Sequence, residues 1–288
     1  MIPAAFAYDR PKSLDDALRL LSHHGGDAKV IAGGQSLLPL LKLRVAAADR
    51  LIDIGRLSEL RGIRDWNGGI ALGALTTYRE VLDSKLAKDR FPILHEAIND
   101  IGDVQVRNRG TVGGAIAHAD PASDLPAVLL ALGGEVVLRS SSGERVVPAD
   151  RFFEGAFTTA IAPDEILTEI RIPGLASGAG QAYVKLEQPA SGYSIVGVAV
   201  VLAAQSGGSQ AVCRIGITGV GDVAYRATAV EAALAAGDRS PESVKRAAAH
   251  AGDGQTIASD IHADREYRAE MAQVYTRRAI DAAMARMR

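Results

Sequence analysis

Hydrophobic positions along the chain change their period repeatedly, and each change predicts an element. Leu14, Ala17, Leu18 and Leu21 recur at helical spacing behind Ser13, a hydroxyl suited to cap free N–H groups, with Asp15 and Asp16 in the first turn. This helix should stop at His24-Gly25-Gly26. Short apolar runs over 29–31 and 51–54 read as strands, and the first leads directly into Ala32-Gly33-Gly34-Gln35-Ser36. Trp66-Asn67-Gly68-Gly69-Ile70 has the chemistry of a hairpin turn feeding a strand over 70–73. Residues 91–101 return to helical spacing. A second glycine cluster, Thr111-Val112-Gly113-Gly114, follows Arg109-Gly110 and precedes His118-Ala119-Asp120-Pro121 and a helix over about 123–132. Strands are expected over 135–139, 145–147 and 167–172, and buried strands over 195–204 and 212–218. Alanine-rich helices are expected over 227–236, 241–251 and 264–286. Residues 174–180, small and glycine-rich, read as a flexible linker that divides the chain into about 1–176 and 177–288.

Composition narrows the class. With 288 residues, 48% hydrophobic and 23% charged, the chain is an ordinary globular protein, not a collagen-like, disordered or coiled-coil one. Lys plus Arg number 32 against 34 Asp plus Glu, and aromatics are 5%, which offers little to a nucleic-acid backbone or an anionic membrane. The strongly apolar runs, 125–134 and 195–205, fall far short of the ~18 residues of a membrane span. The opening Met1-Ile2-Pro3-Ala4-Ala5-Phe6 has neither the basic nor the apolar region of a secretory signal. Cys213, the only cysteine, excludes an internal disulfide, a cluster ligated by four of the chain's own thiolates, and a Cys-rich zinc site. A reducing compartment, the cytoplasm, is the expected location.

Candidate chemistry concentrates in the glycine clusters. Adjacent glycines permit positive φ and close backbone approach, so successive N–H groups can converge on phosphate oxygens. Neither cluster fits the dinucleotide fingerprint G-x-G-x-x-G or the phosphate loop G-x-x-x-x-G-K-[ST]. Plain tight turns are the alternative. His118, Asp120 and Asp124 could be read as metal ligands, but no further ligands accompany them; Asp124 is equally an acid at a helix start or a carboxylate touching a ligand. Lys185 alternates with apolar neighbours, so it either aims a charge at a ligand or faces solvent. Tyr193, after a Pro/Gly loop, either stacks on a planar ring or fills a core. Cys213 lies within a strand pattern and reads as buried and inert.

Ala32-Gly33-Gly34-Gln35-Ser36-Leu37, Thr111-Val112-Gly113-Gly114 and Asp120-Pro121-Ala122-Ser123-Asp124-Leu125-Pro126, in this order, closely resemble the FAD-binding subunits of molybdenum hydroxylases, and most of all the medium subunits of aerobic carbon monoxide dehydrogenases. The resemblance extends to the opening Phe6 to Ser13 and to Tyr183-Val184-Lys185. It implies an α+β fold of the vanillyl-alcohol-oxidase type (PCMH-like): an FAD-binding domain of two subdomains, divided near residue 55, and a C-terminal α+β domain of antiparallel sheet and helices. It implies that Ala32 to Ser36 and Gly110, Thr111, Gly113 and Gly114 cradle the FAD pyrophosphate. Ala117, His118, Asp120, Ser123 and Asp124 would complete the cofactor site. Leu167 would be an apolar contact, Lys185 a basic contact near the flavin end, and Tyr193 a neighbour of the isoalloxazine ring. Gln35 departs from the His common in carbon monoxide dehydrogenases, and Lys185-Leu186-Glu187-Gln188-Pro189 lacks the basic cluster of some relatives.

The resemblance further implies an electron-transfer subunit without catalytic acid–base or metal-ligating residues of its own. Its partners would be a large molybdenum-cofactor subunit and a small subunit with two [2Fe–2S] clusters, arranged as a dimer of heterotrimers. Peripheral attachment of such a complex to the inner membrane is compatible with this. A self-sufficient FAD oxidoreductase of the same fold and a non-enzymatic anion-binding module are the alternatives. A substrate-directed base or a covalent flavin attachment residue in the glycine loops would favour the former, and a colourless protein the latter.

Overall fold

The structure, a computed structural model, describes residues 2–204, 212–236 and 239–288. Strands β1 (Ala7–Asp9), β2 (Ala28–Ile31) and β3 (Arg50–Asp53) form a parallel sheet in the order β1-β3-β2. Helix Leu14–His24 covers it, with Ser13 accepting from the Asp16 N–H and Leu14, Ala17, Leu18 and Leu21 buried. The sequence places this helix correctly because a capped, strictly periodic stripe leaves little choice.

A second sheet is antiparallel: β4 (Ile63–Trp66), β5 (Gly69–Gly73), β6 (Glu135–Ser140), β7 (Gly143–Pro148) and, later in the chain, β10 (Ile166–Ile172), in the order β4-β5-β10-β6-β7. Asn67 and Gly68, at φ 44° and 76°, make the tight β4–β5 turn. Two short strands, β8 (Phe153–Gly155) and β9 (Thr158–Thr159), pair outside this sheet. The third sheet, antiparallel, is β11 (Gly180–Glu187), β12 (Ser194–Ala203), β13 (Val212–Thr218) and β14 (Tyr225–Arg226).

Helix Asp124–Leu132 is buried along its whole length. It packs on β12 and β13, joining the second and third sheets through one core. β12 is buried on both faces: Ala199 and Val201 face that core, while Val196, Val198, Val200 and Leu202 face helices Thr228–Ala236, Pro241–Ala248 and Arg265–Ala285. A strand covered on both sides must be apolar at every position, which is how 195–204 reads. The 174–180 segment is less free than its composition suggests. The Arg288 N–H donates to the Gly178 carbonyl, and a side chain at Gly178 would collide with the Arg288 backbone.

Candidate functional site

The C-terminal end of β2 opens into the first glycine loop, and this loop meets the second backbone to backbone. A Cβ on Gly33 would collide with the Arg109 carbonyl oxygen and lie 3.1 Å from Gly110 Cα. The two loops thus form one junction at the wall of a cleft of about 510 Å³, a size typical of small-molecule sites. Ala32, Gly33, Gly34, Gln35, Ser36, Gly110, Thr111, Gly113, Gly114, Ala117, His118 and Leu167 all line it. Phe157, Thr159, Ile161, Ala162, Pro163 and Glu165 also line it.

The two clusters differ in what they offer. The backbone N–H groups of Gly33, Gly34, Gln35 and Ser36 have no acceptor among the described residues. Gly34, at φ 74°, is the one glycine of the two clusters in the left-handed region, and it turns the loop there. In the second cluster the donors are mostly engaged. Val112 N–H bonds the Thr76 carbonyl at 3.0 Å, Gly113 N–H the Ala74 carbonyl at 2.9 Å, and Gly114 N–H the Thr111 hydroxyl at 3.1 Å. The expectation of free N–H groups therefore fails for the second cluster, while the first leaves its own without an intramolecular acceptor among the described residues. In the second, glycine serves close packing. A Cβ on Gly113 would stand 2.6 Å from Ala74, and one on Gly110 would stand 2.6 Å from the Tyr78 ring.

His118 ends helix Val112–His118 and packs against Phe157, ring centroids 5.1 Å apart. Burial holds its imidazole below the usual histidine range, against the opposing pull of Asp120. Asp120 accepts the Ala122 N–H at 2.9 Å and so shapes the turn before Ser123, whose carbonyl takes the Thr218 hydroxyl at 2.8 Å. Among the described residues no group of three His, Cys, Asp or Glu gathers as a metal site.

Asp124 and Lys185 form a buried pair instead. Lys185 Nζ is 3.0 Å from Asp124 Oδ1, with 2% and 6% of the two side chains exposed, and it donates to the Asp100 carbonyl at 2.7 Å. The solvent-facing alternative for Lys185 is thus excluded. Tyr193 is not a core residue: it is 46% exposed, and its hydroxyl engages the Ser36 side chain, linking the C-terminal sheet to the first glycine loop. Asp120, Ser123, Asp124, Lys185 and Tyr193 do not line the main cleft. Tyr78 connects the two regions. It lines the cleft, and burial pushes its phenol up, with the charges of Asp124 and Tyr193 adding to the effect. Cys213 is half-buried rather than buried, and desolvation pushes its thiol up to about 11, away from the reactive thiolate.

Sequence reasoning missed Tyr78, Phe157, Tyr183 and Ser194. Tyr183 had a usable signal, because it lies two positions before Lys185 on one strand and shares its face. Phe157 had none: its exposed ring and its φ of 55° are visible only in the fold.

The donor set suits FAD. A dinucleotide needs anion-binding donors beside a long apolar-walled cleft, and the unpaired N–H groups of Gly33 to Ser36 stand at the wall of one. Comparison with known proteins agrees. Residues 4–175 match the family model for the FAD binding domain in molybdopterin dehydrogenase, and residues 181–283 that for the CO dehydrogenase flavoprotein C-terminal domain. The chain is 42% identical to the carbon monoxide dehydrogenase medium chain of Hydrogenophaga pseudoflava, covering 99% of each. It is 39% identical to the glyceraldehyde dehydrogenase medium chain of Sulfolobus acidocaldarius, covering 97% of this chain and 98% of that one. The solved carbon monoxide dehydrogenase from Hydrogenophaga pseudoflava that lacks the Mo-pyranopterin moiety superposes with a TM-score of 0.95 at 44% identity, covering all of both chains. The chain belongs to the FAD-binding medium subunits of the molybdenum hydroxylases, a flavoprotein component of an oxidoreductase, with an α+β fold of an FAD-binding domain followed by a C-terminal domain.

Proposed function

We propose that this chain holds one non-covalent FAD and relays electrons from the [2Fe–2S] clusters of a small partner subunit to an external acceptor. The observation that carries the reading is the row of unpaired N–H groups from Gly33 to Ser36 at the wall of the cleft. FAD, when bound, supplies reversible electron acceptance at its isoalloxazine ring. The chain's own residues bind and orient it. The first loop donates to the pyrophosphate. Gly110, Thr111, Gly113 and Gly114 bring the second loop close enough to wall it, and Ala117, His118 and Leu167 line the cleft. Asp120 and Ser123 fix the turn that delivers Asp124, and Asp124, Lys185 and Tyr193 serve the flavin end.

Substrate oxidation belongs to a large subunit carrying the molybdenum cofactor, in a dimer of heterotrimers. Cys213 alone cannot ligate a cluster, so the clusters lie on another chain. The division into domains 1–176 and 177–288 belongs to the same reading, with the first split near 55. Among the described residues no helix is long and apolar enough to cross a membrane.

The test is anaerobic bleaching of the flavin in the purified chain and in the complete complex, using carbon monoxide, an aldehyde and an N-heterocycle. Acid should release FAD from both preparations, and one of the substrates should bleach the complex but not the lone chain. Bleaching of the lone chain would establish a self-sufficient oxidoreductase, and acid extracts of the chain and the complex that both lack FAD would refute the flavin site.

A further inference from the structure

Three donors from the C-terminal sheet converge on one oxygen of Asp124. Oδ1 receives the Tyr183 hydroxyl at 2.5 Å, the Ser194 hydroxyl at 3.0 Å and Lys185 Nζ at 3.0 Å. Tyr183 and Lys185 share a face of β11, and Ser194 begins the adjacent β12. Gly197 leaves the space the phenol occupies, since a Cβ there would collide with Tyr183 Oη. Oδ2 takes no donor from the described residues. The carboxylate is therefore held through one oxygen, and the other is not engaged by the described residues. Neither Tyr183 nor Asp124 lines the main cleft, so Tyr183 acts through Asp124, whose charge reaches Tyr78 on the cleft wall.

The charge state makes this arrangement consequential. A carboxyl 5% exposed tends to take up a proton. Burial does push Asp124 up, while Lys185, Tyr183 and Ser194 pull it back. Tyr78, Tyr193 and Asp100 complete the titratable surroundings. Tyr78 and Tyr193 feel the Asp124 charge, and Asp100 acts through Lys185. Removing a neutral hydroxyl that donates to the ionised form shifts the balance towards the protonated acid, without removing any formal charge.

We propose that Tyr183 is a positioning residue of the flavin site: with Ser194 and Lys185 it holds Asp124 through Oδ1 and leaves Oδ2 to FAD. This rests on the FAD reading above.

The experiment uses the intact complex carrying Tyr183→Phe, Ser194→Ala or Tyr225→Phe, and measures FAD affinity and the flavin midpoint potential as a function of pH. Losing one hydrogen bond to a charged group corresponds to roughly one pH unit and to about tenfold in affinity. Tyr183→Phe should move the carboxylate's break in the potential–pH curve up by about that much and weaken FAD binding about tenfold. Ser194→Ala should act in the same direction, and it carries the test alone if Tyr183→Phe does not assemble. Tyr225→Phe removes an equally buried phenol, one that donates to the Ala251 carbonyl at 2.7 Å in the C-terminal core, and should leave both quantities unchanged. A wild-type break and affinity in Tyr183→Phe and Ser194→Ala, or the same displacement in Tyr225→Phe, would overturn the proposal. A wild-type complex that binds no FAD would instead refute the underlying flavin reading, and with it this role.

Discussion

Gly33→Ala tests the junction of the two glycine loops directly. The added methyl would collide with the Arg109 carbonyl oxygen and lie 2.9 Å from its carbon, with backbone rather than a flexible side chain on the other side. Relief requires the loops to part by roughly 1 Å, an overpacking that typically costs about 1–3 kcal/mol of stability. The same displacement would move the Gly33 to Ser36 N–H groups away from the pyrophosphate they are proposed to hold. Each hydrogen bond to a charged group contributes about 1.5–3 kcal/mol, so losing one weakens FAD by at least about tenfold. Titrating apoprotein with FAD while following flavin fluorescence gives the affinity, and thermal unfolding of the same samples separates a binding defect from a folding one. Gly34→Ala is the comparison. It introduces strain at φ 74°, but its methyl meets the movable Leu38 side chain at 2.9 Å and leaves the loops joined. Gly33→Ala should be the weaker binder of the two. A folded Gly33→Ala protein that binds FAD as tightly as wild type would show that the junction does not shape the site.

Two further outcomes follow from the electrostatics. His118 has a folded-state affinity for protons below that of the unfolded chain, because burial disfavours its cation. As pH falls through the usual histidine range the unfolded chain protonates first, so stability should decline on acidification, and His118→Gln should flatten that part of a urea-unfolding profile. The Asp124–Lys185 pair should be strongly non-additive. Asp124→Leu strands a buried ammonium and should cost about 3–5 kcal/mol, whereas Asp124→Leu with Lys185→Met should recover a large part of it. A double variant as unstable as the sum of the singles in urea unfolding would refute the pairing.

Where the sequence was legible, one local cue coincided with one burial demand. Residues 195–204 contain no charge because β12 is covered on both faces, and Ser13 with its periodic leucines had only one way to fold. Helix Leu37–Leu43 escaped notice for a related reason: it is apolar on every side, Ser36 makes no side-chain cap, and Pro39 suggests a break. Pro39 is tolerated because it sits in the first turn of the helix. Helix Tyr78–Asp83 could have been found, since Thr77 and Glu80 make a capping box. The glycine clusters stood out as local motifs, but their division of labour is not local. Whether Val112 and Gly113 have free N–H groups depends on Thr76 and Ala74, more than thirty positions earlier in the chain. The same holds for Asp124, whose three donors come from residues 183, 185 and 194. A motif can therefore indicate that a ligand is held while leaving open which atoms hold it, because donors become available only after the rest of the fold has taken its own hydrogen bonds. At this site the fold uses the second loop's N–H groups for itself and leaves the first loop's free, which makes Gly33, not Gly114, the more sensitive position for FAD.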